Sequence, residues 1–245
     1  MGLGKWENLL ENHIEGFFNK RFASELEPVE LARALQREIS QQVSQSKDRT
    51  VPNLYVFTLA TDDYHRLCAK RVQKELYTVV EKEVIKSDAY MDGELCLEMR
   101  QSETLKTGNF ELDSGKKAEE RLESDEPDTL VLQRSSLSSL RPLNLPTDYK
   151  TVSLTVVQGP DEDAYLEFGE RKIYIGRRDK NEFILTDTQA SRLHAWIAYE
   201  RHRHVLYDAQ STNGTYLGGK RVAQQVLQDG DEISIGSTLL VYEVI

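Results

Sequence analysis

Cysteine is scarce: Cys68 and Cys96 are the only two in 245 residues. Two such distant residues exclude a disulfide framework and have no metal-ligand spacing, so they are expected as buried free thiols. No run of eighteen apolar residues occurs, so no membrane-spanning helix is expected. The opening MGLGKWENLLENHIEG carries acids and amides where a secretory leader needs an apolar stretch. Its Met1-Gly2 start fits an acylation signal only as far as Trp6, which stands where that signal wants Ser or Thr. The expectation is a cytoplasmic chain with no direct membrane insertion, brought to a membrane only by partners. Positive charge is also in deficit, with 31 basic against 41 acidic residues and a net charge of −10. The deficit is spread out: −4 over residues 1–112, −3 over 113–149 and −3 over 150–245. No segment is basic overall, which argues against non-specific nucleic-acid binding.

What is present divides into three parts. Over residues 5–20, Trp6, Leu9, Leu10, Ile14, Phe17 and Phe18 recur with helical spacing. Pro28 suits the first position of a second helix, which Leu31, Leu35, Ile39 and Val43 continue. NLYVFTL at 53–59 is rich in strand formers. Thr61-Asp62-Asp63 supplies a capping hydroxyl and two acids for a helix running to about Ser87. ELCLEMR then alternates as a strand, and a turn at Gly108 leads into NFEL. This order predicts an α-α-β-α-β-β domain of the α+β class over residues 1–112. Residues 113–149 are rich in Ser, Pro and acids and read as a disordered linker in which only TLVLQ could be a strand.

From residue 150 to 245 the apolar period is two. TVSLTVV, AYLEF, KIYI, HAWIAYE, HVLYDA, EISI and LLVYEV are short and separated by Gly, Asp, Asn or charged turns, the pattern of an all-β sandwich. The two domains are expected to fold independently, because their cores use different periods and the linker offers no matching apolar face.

The polar islands of this β region fall between strands: GRRDKN at 176–181, QASRLH at 189–194 and STNGT at 211–215. Ser191, His194 and Asp208 could be nucleophile, base and orienter of a hydrolase, but no GxSxG elbow surrounds Ser191. His202 and His204 would share a strand face, and without further ligands two exposed strand residues explain them better than a metal. No metal or other cofactor is expected. Anion binding is the third chemistry. Loops at one end of a sandwich converge on a single patch, and Arg177, Ser191, Arg192 and Thr212 would offer charge-assisted donors to a tetrahedral anion. Asn213 adds an amide able to pair with a peptide backbone. Taken singly, each island is better read as a hairpin turn with solvated arginines.

Taken together, Gly176-Arg177, Ser191-Arg192-x-His194, Asp208-x-x-Ser211-x-Asn213-Gly214-Thr215 and DGDEISIG at 229–236 resemble the forkhead-associated (FHA) domain in order and spacing. The resemblance implies an eleven-strand sandwich that binds phosphothreonine peptides through the loops at one end. It implies that Arg177 and Ser191 contact the phosphate, that Arg192 and Thr212 border it, and that Asn213 holds the peptide backbone. Gly176, His194 and Gly214 would shape the loops. The chain departs from the family at Gly218-Gly219, where Asn-Gly is frequent, and at Ala190, where Val is common.

WENLLENHIEGFFNKRF, PVELARALQREI, VPNLYVFTLATDDY and TGNFEL resemble the N-terminal domain of bacterial FhaA-type proteins over roughly residues 5–112. This second resemblance implies a partnership with Ser/Thr protein kinases in cell-envelope synthesis or division; the N-terminal domain is read as engaging a second protein. Within that domain His13, Glu15, Asp62 and Asp63 read as helix caps or solvated acids rather than catalysts. The combined expectation is a non-enzymatic adaptor for phosphothreonine-containing proteins. The rivals are a Ser/His hydrolase and a nucleic-acid regulator acting through the N-terminal domain. Thr129, set after acids and before aliphatics in the linker, is a candidate phosphorylation site that could occupy the phosphate site of its own chain; the plainer reading is that TLVLQ is a short strand.

Overall fold

The computed structural model describes residues 26–117 and 150–245. The helix expected over 5–20, the residues His13 and Glu15, and the candidate phosphoacceptor Thr129 lie outside the described residues.

The N-terminal domain is built on a βαβ unit. Helix α1 (Pro28–Gln45) opens with Pro at its first position, and Glu27 and Glu30 close a reciprocal capping box. Strands β1 (Thr50–Val51) and β2 (Leu54–Ala60) follow. The single helix expected from Thr61 to Ser87 is broken into α2 (Thr61–Leu67) and α3 (Lys70–Lys86), with Cys68 and Ala69 between them. Thr61 does not cap α2 through its side chain. Asp63 is not solvated but fully buried, where it accepts from Arg66 at 2.7 Å and from the Gly108 N–H at 2.7 Å. Arg66 also reaches the Leu26 carbonyl, so this short helix is fixed by tertiary bonds that outrank continuous helical propensity. Strands β3 (Tyr90–Met91), β4 (Cys96–Ser102) and β5 (Phe110–Gly115) complete the domain. β2 lies in the middle of a three-stranded sheet, parallel to β4 and antiparallel to β5, and β1 pairs with β3 in parallel. The final strand runs to Gly115, past the expected boundary at 112. Leu31, Leu35 and Ile39 from α1, Tyr55, Phe57 and Leu59 from β2, and Val72, Leu76 and Val80 from α3 share one core. Cys68 and Cys96 are free and half-buried rather than fully enclosed.

The second domain is a sandwich of eleven described strands: β6 (Val152–Gln158), β7 (Tyr165–Phe168), β8 (Ile173–Gly176), β9 (Phe183–Ile184), β10 (Ala195–Glu200), β11 (Arg203–Asp208), β12 (Thr215–Leu217), β13 (Lys220–Val222), β14 (Gln224–Val226), β15 (Asp231–Ile235) and β16 (Thr238–Val244). One sheet has the order β14-β11-β10-β8-β9, the other β13-β12-β15-β16-β6-β7. Alternation places Ile197, Leu206, Ile233, Ile235, Leu240 and Leu154 in the core between them.

The two domains are not separate bodies. Ile85 of α3 packs into the sandwich core cluster, and the tip of the β10–β11 hairpin sits on the corner between α3 and β3. The expected independence of the halves misses this contact, because apart from Ile85 the residues that make it are mostly polar and leave no apolar stripe in the sequence.

His204 also departs from expectation. It is 0 % exposed rather than a surface strand residue. Its Nε2 donates to the Gly169 carbonyl at 2.9 Å and its Nδ1 accepts from the Tyr242 hydroxyl at 2.8 Å, which fixes the neutral tautomer. Burial, opposed by the Gly169 carbonyl and aided by neighbouring Arg203, lowers its pKa to about 4. A depressed histidine contributes stability that is complete above its unfolded value near 6.5 and is lost as pH falls towards 4. At about 1.4 kcal/mol per unit, that amounts to roughly 3 kcal/mol. Denaturant unfolding between pH 7 and 4 should show this loss in the native chain and a shallower slope in His204→Gln.

Candidate functional site

The site begins with a backbone crossing. β8 ends at Gly176, whose φ of +147° suits glycine. A Cβ there would lie 2.7 Å from the Ser191 carbonyl oxygen, 2.8 Å from that of Arg192 and 2.8 Å from the His194 nitrogen. The close approach lets the two loops exchange backbone bonds: Arg177 N–H to Ser191 O at 3.0 Å, Arg178 N–H to Arg192 O at 2.9 Å, and His194 N–H to Ile175 O at 2.9 Å. Arg177 is thereby placed beside the 189–194 loop. Its Nε donates to the Ala190 carbonyl at 2.7 Å, which orients the guanidinium while its two terminal nitrogens make no hydrogen bond within the described residues.

His194 is buried and acts as a brace. Its Nδ1 accepts the Ser191 backbone N–H at 2.9 Å, so the proton resides on Nε2, which donates to the Gly214 carbonyl at 3.2 Å. Burial holds its pKa below the ordinary imidazole range against the pull of that carbonyl and of Asp208 and Asp187. A hydrolase would need His194 to accept from the Ser191 hydroxyl. Here that nitrogen is occupied by the backbone of the same serine, and the pair is not arranged as nucleophile and base. Asp208, the third member of that constellation, instead accepts from Ser211 N–H at 3.0 Å, Ser211 Oγ at 2.5 Å and Thr215 Oγ1 at 2.7 Å. Burial pushes its pKa up, but these donors outweigh burial and hold it below the usual carboxylate range. Ser211 Oγ accepts from Gly214 N–H at 3.0 Å, which closes the turn.

The third loop meets the second at two points. Thr212 N–H donates to Ser191 Oγ at 3.1 Å, and Asn213 Nδ2 donates to the Gln189 carbonyl at 2.7 Å. Because Ser191 Oγ is the acceptor in the first of these, its own proton remains available to a ligand. The structure therefore gathers Arg177, Ser191, Arg192, Thr212 and Asn213 at one end of the sandwich, with Gly176, His194 and Gly214 beneath them. Arg177, Arg192, Thr212 and Asn213 are exposed and Ser191 is half-buried.

Three residues not singled out from sequence belong to this architecture. Buried Asn181 donates to the Arg192 carbonyl at 2.9 Å. Buried Asp187 accepts from Gln189 N–H, from Ser237 through both N–H and Oγ, and from Thr238 Oγ1, tying the second loop to the turn before β16. Arg221 lies across Gly214, where a Cβ would come within 2.5 Å of its Nε. Asn181 could have been found as an Asn opening a strand segment; Asp187 and Arg221 have no local signal because their partners are distant in sequence. Among the described residues no group of three or more His, Cys, Asp or Glu could hold a metal ion, and no helix is long and apolar enough to cross a membrane.

Two family models match this chain: the FhaA N-terminal domain over residues 3–113 and the FHA domain over residues 173–236. The chain belongs to the FHA-domain family and is of the FhaA type. An oxoglutarate dehydrogenase inhibitor of Corynebacterium efficiens is 34% identical over 99 residues, covering 40% of this chain and 68% of that protein. The glycogen accumulation regulator GarA of Mycobacterium tuberculosis is 33% identical over 89 residues, covering 36% of this chain and 55% of that one. Among solved structures, the FhaA FHA domain complexed with the intracellular domain of Rv3910 is 30% identical, covering 38% of this chain and 100% of its own, with a TM-score of 0.35.

Gly176 provides a direct check of the site's construction. Gly176→Ala must open the loop crossing, since all three clashing atoms are backbone. A strain cost of about 1–3 kcal/mol is expected, visible as a lower thermal midpoint together with weakened phosphopeptide binding in calorimetry.

Proposed function

We propose that this FHA domain recognises phosphothreonine in partner proteins and that the chain is a non-enzymatic signalling adaptor. The observation that carries the reading is the paired orientation of Arg177 and Ser191. Nε of Arg177 is spent on the Ala190 carbonyl and Oγ of Ser191 on accepting from Thr212 N–H, so a guanidinium edge and a hydroxyl proton remain to meet one anion. Arg192 adds a second cation at the border, and Thr212 a second hydroxyl. Asn213, braced on Gln189, is set to bond the peptide backbone beside the phosphorylated residue. The family membership supports the ligand class, as do relatives whose names describe a regulator and an inhibitor.

The finer reading is that a bacterial Ser/Thr kinase writes the phosphothreonine, in the control of cell-envelope synthesis or division, and that the N-terminal domain engages a second protein. The FhaA-type domain pairing is what supports this reading. The geometry of Ser191 and His194 weighs against the hydrolase alternative, and no observation favours the nucleic-acid reading.

Arg177→Ala should lower phosphopeptide affinity by about 30- to 1000-fold, the equivalent of roughly 2–4 kcal/mol for a charge-assisted contact. Its thermal midpoint should stay near that of the native chain, because the guanidinium braces one carbonyl only. Calorimetry showing unchanged affinity would remove Arg177 from the site. Matched peptides carrying phosphothreonine or phosphoserine should differ in favour of threonine by about 0.8 kcal/mol or somewhat more, the worth of one buried methyl group. Equal affinities would show that no methyl pocket is formed.

A further inference from the structure

The β10–β11 hairpin turns through Arg201 and His202, with φ of +49° and +61°. Glu200 pairs with Arg203 across it, so this is a two-residue turn with both central residues left-handed. Such turns ordinarily use Asn-Gly, since a side chain resists that backbone. Inside the hairpin, His202 meets Tyr199 edge to face, with the tyrosine hydroxyl 3.3 Å from its Nδ1. Most of the compensation lies outside it, in the N-terminal domain. Arg203 is 0 % exposed, and its guanidinium donates to Asp88 Oδ1 at 2.6 Å, the Ala89 carbonyl at 3.3 Å and the Leu227 carbonyl at 3.0 Å. Arg201 pairs with Asp92 at 2.7 Å, and its carbonyl accepts from the Met91 N–H at 3.4 Å. Tyr90 lies beneath both guanidinium groups. His202 bonds Glu81 through Nδ1 at 2.8 Å and the Gly93 carbonyl through Nε2 at 3.0 Å, while the Tyr199 hydroxyl takes the other oxygen of Glu81.

The receiving side is strained as well. Asp88 and Arg49 have φ of +50° and +54°, and Arg49 Nε donates to the Asp88 carbonyl. Thus four of the six left-handed non-glycine residues described, Arg49, Asp88, Arg201 and His202, meet in one contact. Strain collects where the surrounding structure over-determines it.

We propose that the tip of the β10–β11 hairpin is a docking plug for the chain's own N-terminal domain, seated in the α3–β3 corner, so that the two domains work as one unit with the phosphate site at the opposite end of the same hairpin. The plug is joined to β10 and β11 at Glu200 and Arg203, whereas Ala195 and Asp208 adjoin the phosphate loops about 17 Å away. Docking therefore leaves the peptide site open and commits the α3–β3 corner to an internal partner. Seating is also linked to protons. Burial pulls His202 down, but Glu81, and more weakly the Gly93 carbonyl and Glu170, outweigh it and hold its pKa above the ordinary imidazole value. Glu81 is itself pushed up by burial, and Glu170 adds to the shift while His202 opposes it. Both groups favour the proton when docked. The share of His202 in docking is therefore complete below the ordinary histidine value and weakens as pH rises through the raised one, while the share of Glu81 is complete only below the ordinary carboxylate value.

The test uses the full chain with Arg201→Asn and His202→Gly together, residues better suited to the turn itself. A plug predicts at least a tenfold rise in amide exchange at residues 88–93 and 201–203 and calorimetric unfolding split into two transitions. Phosphothreonine-peptide affinity should stay within about twofold. A mere turn predicts unchanged or slower exchange and unfolding no less cooperative than the native chain; either result overturns the proposal. Asp92→Ala, at an exposed pair, supplies a milder variant: its exchange at Met91 and Arg201 should rise, and no rise counts against the plug. In the native chain, exchange at 88–93, corrected for its intrinsic pH dependence, should quicken from pH 6 to 9; a flat profile refutes the proton linkage. Loss of peptide binding with docking intact would count against the phosphate reading and leave the plug standing.

Discussion

The site rests on one steric constraint: the strand ending at Gly176 passes so near the 191–194 loop that no side chain fits between them. From that approach come the backbone bonds that register Arg177 against Ser191, and the space in which buried His194 spans from the Ser191 N–H to the Gly214 carbonyl. Three loops separated in sequence are thus fastened to one another mainly through backbone groups. The side chains left over are the ones aimed outward. This division of labour favours recognition over catalysis, because the imidazole that might have moved a proton is consumed in holding the loops together.

Much of this was legible in the sequence, for reasons that differ by region. Alternation exposed the sandwich because its strands each bury one face, and the loop motifs are readable because glycine and short hydroxyl side chains are needed at fixed spacings in tight turns. What escaped was decided by distant partners. The break between α2 and α3 depends on Asp63 finding Arg66 and Gly108. His204 looks like an outward strand residue until Gly169 and Tyr242 enclose it. Asp187 looks like any loop acid until the turn at Ser237 closes over it. Pairs β1 and β3 are too short to leave a periodic trace.

The contact between domains belongs to the same class. A hairpin tip reading Arg-His-Arg suggests solvent, and an isolated hairpin would place it there. In the folded chain these cations enter a corner furnished with Glu81, Asp88, Asp92 and the Tyr90 ring. Charge complementarity accomplishes here what apolar stripes accomplish within each domain, and it does so without a periodicity that a reader of sequence could detect. A buried arginine is tolerated because three acceptors surround its terminal nitrogens, although its Nε finds none.

The strand order of the larger sheet has a bearing on how the protein is made. β16, the last strand in sequence, does not lie at an edge; it is clasped between β15 and β6, the first strand of the domain. During synthesis the sandwich lacks its middle until residues 238–244 have left the ribosome, long after the last described strand of the N-terminal domain, which ends at Gly115. The nascent FHA half must therefore wait with open sheet edges beside a neighbour whose described strands have already emerged.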